Sequence, residues 1–211
     1  MLIIFEGIDG TGKSTQVILL DKRLNGKGNH LAPNGTLTIA EPTNSKYGKE
    51  IRQRMMNSET RLSFEEELDL FIKDRKFNID NNINPALEEG KVVILDRYYF
   101  STAAYQGSRG YMDYQDIIDM NEKFAPVPSI LFIFFIPVEK ALERIDADAG
   151  RSSRSYMEKA ENLKKVQDIF QRIHESGKYN SVSIDSLQDI DQIHEKIWSA
   201  CKEYASKINI R

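Results

Sequence analysis

The sequence of 211 residues predicts a layered α/β fold built on a parallel sheet. Three observations carry that expectation. Short apolar runs alternate along the chain with longer segments of helical period. The apolar runs are continuous, the pattern of strands covered on both faces. A glycine-rich turn joins the first run to the first helical segment.

Leu2 to Glu6 (LIIFE) forms the first strand expected, and GIDGTG leads from it into a helix over 13–25. NGKGNHLAPNG, 25–35, has the composition of a polar surface loop. Thr36 to Ala40 is the second strand, followed by a helix over 46–57. Residues 63–89 carry one long helical period that sets Leu68, Phe71, Ile72 and Phe77 near one face. Pro85 is expected to kink its end and Gly90 to close it. Val92 to Leu95 is the third strand, and 113–124 the next helix. Ile130 to Ile136 (ILFIFFI) is the most apolar run and has the length of a buried strand. Helices over 137–147, 155–176 and 189–206 surround a last strand, Ser181 to Ile184. Strand–helix alternation of this kind implies right-handed crossovers within a single domain spanning 1–211.

Composition narrows the function. Hydrophobic residues at 40% and charged residues at 29% are ordinary for a globular chain, so disorder is not expected. A net charge of -3 argues against a protein that coats nucleic acid. One cysteine, Cys201, forms no internal disulfide and reads as a small helix residue in a reducing compartment. No run reaches the roughly 18 apolar residues that suggest a membrane span, and MLIIF is too short for a signal-peptide core. A cytoplasmic protein without a membrane or nucleic-acid partner is expected.

Function enters at GIDGTGKS. It matches G-x-x-x-x-G-K-[ST] with Gly7, Gly12, Lys13 and Ser14, between a strand and a helix. Glycines let main-chain N–H groups converge on phosphate oxygens, and the helix adds the positive end of its dipole. Gly7, Ile8, Asp9, Gly10, Thr11, Gly12, Lys13, Ser14 and Thr15 are therefore the expected cradle for a nucleotide's phosphates, which the resemblance described below makes those of ATP. Lys13 reaches the outer phosphates, and the Ser14 hydroxyl is a Mg²⁺ ligand. A GTPase would need a guanine-reading N-K-x-D and a D-x-x-G beyond the loop, and neither occurs. Motor and helicase ATPases usually carry an acidic pair after a second apolar strand; here that strand ends LDRYY.

VVILDRYYFSTAAYQG, 92–107, sets Asp96 and Arg97 at a strand's carboxyl end, where open α/β sheets bind ligands. An arginine fork there suits an anionic second ligand, the alternative being a structural Asp–Arg pair.

FEGIDGTGKSTQ, EPT at 41–43 with GKEIR at 48–52, LFIKDR at 70–75 and DRYYFSTAAYQG together resemble the ordered motifs of the thymidylate kinases over nearly the whole chain. The resemblance implies a three-layer P-loop kinase fold with a five-stranded parallel sheet. It also implies ATP and Mg²⁺ as donor system, dTMP as acceptor, and a common homodimeric state. Position by position, it makes Arg97 the clamp on the acceptor phosphate and Asp9 the acid near the acceptor sugar, its phosphate or the metal. Phe71 becomes the platform under thymine and Arg75 the base's hydrogen-bond partner. Ser101, Thr102, Tyr105 and Gln106 surround base and sugar, with Tyr105 disfavouring a ribose 2′-hydroxyl. Glu41 and Pro42 complete the acceptor pocket. Taken alone, Phe71 reads as core, Arg75 as a solvated helix residue and Tyr105 as a packed ring; only the joint pattern assigns them to a nucleotide.

The resemblance further implies a mobile lid at about 148–156, whose Arg151 and Arg154 meet charge on the transferring phosphoryl group. One family subgroup instead carries an arginine in the loop where this chain has Gly10. Glu158, after Met157 in the helix that follows, is a candidate near the metal or the acceptor. Three departures bear on acceptor strictness: Ala40 before Glu41-Pro42 where arginine is usual, no acidic residues around 128–137, and Ser153-Arg154 for Asp-Arg. The adenine site is placed only by position, near Asp185-Ser186. Lys13, Arg97, Asp9, Arg151 and Arg154 are thus the expected catalytic set for ATP + dTMP giving ADP + dTDP. Two other enzyme readings are a deoxynucleoside kinase, with Glu41 as base, and a broader deoxynucleoside monophosphate kinase. A non-enzymatic ATP-binding protein is the remaining class.

Overall fold

Strand β1, Leu2–Gly7, runs through the middle of the sheet and is buried along its length. The computed structural model describes residues 1–56, 62–149 and 156–209. Around β1 the chain lays down α1 (Lys13–Leu24), β2 (Thr36–Ala40), α2 (Lys46–Met56), α3 (Phe64–Asn78), α4 (Asn84–Glu88), β3 (Val92–Asp96) and α5 (Tyr99–Gly107). Then come α6 (Tyr114–Glu122), β4 (Ile130–Phe135), α7 (Val138–Ala149), α8 (Tyr156–Glu175), β5 (Ser181–Asp185) and α9 (Ile190–Asn209). The strand order is β2-β3-β1-β4-β5, and every pairing is parallel.

The strand sequences explain that order. LIIFEG, VVILD and ILFIFF are almost wholly buried and occupy the three inner places, whereas TLTIA and SVSID carry half-exposed hydroxyls and lie at the edges. Alternate residues feed two cores. Ile4, Leu95, Leu131 and Ile133 face Tyr99, Phe100 and Phe170, while Ile3, Phe5, Ile94 and Phe132 face Val17, Leu20 and Ile197. Full burial of each such side chain contributes about 1.5–3 kcal/mol. Cys201 packs in the second core as a free thiol, as the sequence implied.

Two segments differ from the expectation. Residues 63–89, caps included, form one uninterrupted helical run closed by Gly90 at φ 73°, as expected, but a π turn ahead of Pro85 takes the place of a simple kink. A capping box of Ser63 and Glu66 starts α3, and a π turn over Ile79–Ile83 leads directly into α4, whose first turn holds Pro85. Phe77 is exposed, because nine residues after Leu68 the helix has turned to its opposite side. The second difference is α5, for which no helix was expected. Seven of its nine residues are buried, so it shows no apolar stripe from which a period could be read.

Strand order reverses about β1, so the crevice at the carboxyl ends of β1 and β3 is the topological switch point.

Candidate active site

Between Gly7 and Lys13 the chain wraps a tight loop that Gly12, in the left-handed region at φ 85°, closes into α1. Thr11 Oγ1 donates to the Ile8 carbonyl at 2.9 Å. Lys13 Nζ donates to the same carbonyl at 2.8 Å and to Thr11 Oγ1 at 3.3 Å. Burial first, then the positive charge of Arg97, lowers the Lys13 pKa to about 8 against the pull of Asp96, Asp9 and Glu6. Gly10 fits its place tightly: at φ 79° an added Cβ would lie 2.6 Å from the Ala141 carbonyl oxygen. An arginine at this loop position, as in the other subgroup, would have to displace α7.

Ser14 Oγ donates to Asp96 Oδ2 at 2.5 Å, joining the first turn of α1 to the end of β3. This hydroxyl–carboxylate pair offers hard oxygen donors beside the phosphate loop, and it fits Mg²⁺, which takes one or two protein oxygens and completes its shell with phosphate and water. Among the described residues no group of three or more His, Cys, Asp or Glu is assembled to cage a metal. Asp96 was read only as facing the crevice; its tie to Ser14 had no signal beyond its place at a strand end.

Arg97 takes the next position with a φ of 73°, the one non-glycine residue among those described in that region. Its N–H donates to the Phe5 carbonyl at 3.0 Å, and the unusual backbone turns the side chain back over the loop. Nη2 meets Asp9 Oδ1 at 2.5 Å, Nη1 donates to Ser101 Oγ at 2.8 Å, and the guanidinium carbon lies 5.2 Å from the centre of the Tyr105 ring. Burial pushes the Asp9 carboxyl up, but Arg97 and Lys13 together outweigh it and hold the group below its ordinary range. The pairing of Arg97 is thus with the loop acid, not with its neighbour Asp96.

Beyond this pair opens a cavity of about 340 Å³, lined among others by Asp9, Pro42, Phe71, Arg75, Tyr105 and Gln106. Phe71 and Arg75 share the α3 face toward it, as their four-residue spacing requires. Arg75 is only 1% exposed. Its Nε donates to Glu41 at 2.9 Å, Nη1 to Asn121 Oδ1 at 2.8 Å and Nη2 to Thr102 Oγ1 at 3.0 Å. Glu41 is buried too and also accepts from Asn78 Nδ2 at 2.9 Å. Far from a solvated helix residue, Arg75 is locked at the cavity wall. Tyr105 Oη is buried close to the Arg97 guanidinium and the Asp9 main chain, without a well-aligned hydrogen bond to either. Gln106 donates to Glu67 at 2.9 Å, and Arg109 pairs with the same carboxylate at 2.6 Å.

On the other side of the loop a cavity of about 480 Å³ is bounded by Gly10, Gly12, Thr15, Arg144, Ser186 and Gln188. Arg144 donates to the Ser186 carbonyl at 3.0 Å and to the Gly10 carbonyl at 3.2 Å. Ser186 therefore borders the space next to the loop, whereas Asp185 turns to accept from the Leu187 N–H at 2.9 Å. Arg144 was missed, since an arginine in an amphipathic helix carries no mark of what it faces. Arg151 and Arg154, with most of the expected lid, lie outside the described residues, as does the side chain of Glu158.

A parallel sheet with a phosphate loop at its switch point, a lysine and hydroxyl at the helix start, and two cavities meeting at the loop defines a P-loop kinase fold. A family model described as thymidylate kinase matches residues 5–197. The chain is 40% identical over 208 residues to a thymidylate kinase of Desulfotalea psychrophila, covering 96% of this chain and 94% of the relative. It is 40% identical over 197 residues to a probable thymidylate kinase of Archaeoglobus fulgidus, covering 93% and 92%. A crystal structure of thymidylate kinase from Ehrlichia chaffeensis superposes with a TM-score of 0.73 at 28% identity, covering 96% of this chain and 98% of that one. The chain belongs to the thymidylate kinase family. No helix among the described residues is long and apolar enough to cross a membrane.

Proposed function

We propose that the protein transfers the terminal phosphoryl group of ATP to the 5′-phosphate of dTMP, giving ADP and dTDP. The observation that carries this reading is the convergence of two cationic anion sites on one crevice: Lys13 in its loop, and Arg97 held by Asp9 and Ser101. ATP lies along the loop with its base toward Arg144 and Ser186, and dTMP fills the cavity beside Arg97.

Each group then has a task. Loop N–H groups and Lys13 hold the donor phosphates, and Arg97 grips the acceptor phosphate, setting its oxygen in line with the transferring group. Phe71 stacks on thymine, Arg75 presents a fixed N–H edge to the base, and Tyr105, beside Arg97 and Asp9, faces the sugar. Ser101, Thr102 and Gln106 support this pocket, with Glu41 and Pro42 behind the base. Arg151 and Arg154 neutralise charge on the group in flight, and Glu158 stays a metal-side candidate with Asp9. Ser14 and Asp96 would hold Mg²⁺, which would supply charge neutralisation at the donor phosphates. Homodimerisation and a cytoplasmic location complete the reading, on the family resemblance.

An acceptor that is already an anion needs no general base. A nucleoside acceptor would need one, and Glu41 is poorly placed for it: both its oxygens are engaged, by Arg75 and Asn78, away from solvent. That favours the monophosphate acceptor. A coupled ADP-release assay across dTMP, dUMP, UMP, dCMP, dGMP and AMP tests the reading. Turnover with dTMP at least about tenfold above the rest is expected, since stacking and base-edge contacts each contribute on the order of 1–3 kcal/mol. Equal turnover of dCMP or AMP would overturn the acceptor assignment.

A further inference from the structure

We infer that Glu6 is a positioning residue for the acceptor-phosphate arginine, acting on Arg97 through Ser101 and the first turn of α5. The inference rests on the reading of Arg97 given above.

Glu6 lies in β1 and is 0% exposed. It borders neither cavity, so it touches neither nucleotide. Its Oε1 accepts from the N–H of Tyr98 at 2.8 Å and from the N–H of Ser101 at 3.1 Å. Its Oε2 accepts the Ser101 hydroxyl proton at 2.5 Å. The same Ser101 oxygen accepts from Arg97 Nη1 at 2.8 Å. A chain of hydrogen bonds therefore runs from Glu6 through Ser101 to Arg97 and on to Asp9.

The backbone makes the same point. Tyr98, the residue before α5, makes no side-chain capping bond, so a carboxylate from another element satisfies the helix's first N–H groups. Arg97 stands in a backbone region that side-chain-bearing residues avoid, and such a conformation persists only where its surroundings hold it. Its two chain neighbours are both held: Asp96 by Ser14, and Tyr98 by Glu6. A buried carboxylate is costly to keep. Burial raises the Glu6 pKa to about 7 against three hydrogen bonds and Arg97, which marks the expense of retaining an acid here. An apolar residue would fill β1 but leave the Tyr98 N–H and the Ser101 hydroxyl without their acceptor, the Ser101 N–H keeping its bond to the Tyr98 carbonyl.

The test is a double-mutant cycle of Glu6→Gln with Arg97→Ala, read as KM for each substrate and as thermal unfolding. The amide N–H of Glu6→Gln faces the Ser101 oxygen, so the Ser101 hydroxyl loses its acceptor and must turn its proton away, disturbing the oxygen that Arg97 donates to. The dTMP KM is expected to rise about tenfold while the ATP KM changes less than about twofold. In the Arg97→Ala background the effect of Glu6→Gln on the dTMP KM should shrink below about twofold, since the group it orients is gone. Equal effects in both backgrounds, or equal rises in both KM values, would show a general structural role and overturn the inference. So would no effect of Glu6→Gln where Arg97→Ala alone impairs dTMP use. If Arg97→Ala leaves dTMP turnover unchanged, the acceptor assignment itself fails and the inference goes with it. Should Glu6→Gln not fold, Ser101→Ala in the same cycle reads the far link while retaining Glu6 and its backbone partners. Additive effects there overturn the proposal as well.

Discussion

Ser14 Oγ and Asp96 Oδ2, 82 residues apart in the chain, meet at 2.5 Å at the mouth of the phosphate loop. The contact ties the helix that follows the loop to the end of the strand that leads into Arg97. It sets a hydroxyl and a carboxylate where a hard cation on the donor phosphates would find them. Asp96→Asn keeps the shape but removes the charge. Its half-maximal Mg²⁺ concentration in the coupled assay should rise about 10–100-fold, with the dTMP KM little changed at saturating Mg²⁺. An unaltered Mg²⁺ titration would remove Asp96 from the metal's surroundings.

Arg97 separates chemistry from backbone strain. Arg97→Ala and Arg97→Gly both delete the guanidinium, and each should lower kcat/KM for dTMP by about 10–100-fold, the worth of charge-assisted hydrogen bonds. They should differ in stability. At a φ of 73° alanine keeps the steric conflict and glycine does not, so the glycine variant should be more stable by about 1 kcal/mol. Urea unfolding of the two proteins checks this, and an alanine variant as stable as the glycine one would mean the backbone relaxes without the side chain.

Lys13 gives a pH signature. Its pKa is lowered from 10.5 to about 8, and only the ammonium form attracts phosphate. The free enzyme's kcat/KM for ATP should therefore fall as pH rises through about 8, while kcat under saturating ATP should fall at higher pH, because bound phosphate favours the charged form. For stability the sign is opposite. The unfolded chain binds the proton more tightly between about 8 and 10.5, so this group's contribution to folding improves as pH rises through that window. An ATP profile flat to pH 10 would contradict the placement of Lys13 at the donor phosphates.

Glu41 and Arg75 form a buried pair at 2.8 Å, 4% and 1% exposed. Glu41→Gln leaves the arginine's charge uncompensated and should destabilise the protein by about 3–5 kcal/mol in chemical denaturation. Loss of activity with full stability would instead give Glu41 the part of a base and revive the nucleoside-kinase reading.

Much of this was legible in the linear chain for local reasons. Three continuous apolar runs and two interrupted by hydroxyl residues marked five strands within a residue or two, and GIDGTGKS announced the loop, because a phosphate cradle is made by neighbours in sequence. The α5 helix was not legible, since burial nearly all round erases helical period; Pro85 marked a disturbance within 63–89 but not that it takes the form of a π turn. Arg75 looked like a solvated residue because its partners, Glu41, Thr102 and Asn121, come from three distant segments.

By itself, then, the sequence determined the strands, the phosphate loop and the order of motifs, all properties of residues adjacent or one helical turn apart. Only the tertiary structure decided which carboxylate meets which cation: Asp9 with Arg97, Asp96 with Ser14, Glu41 with Arg75, and Glu6 beneath Ser101. The physical reason is that hydrogen bonds and charge pairs act over a few ångströms of space. Parallel strands bring together residues that the chain separates by a whole crossover, and no local pattern records the meeting.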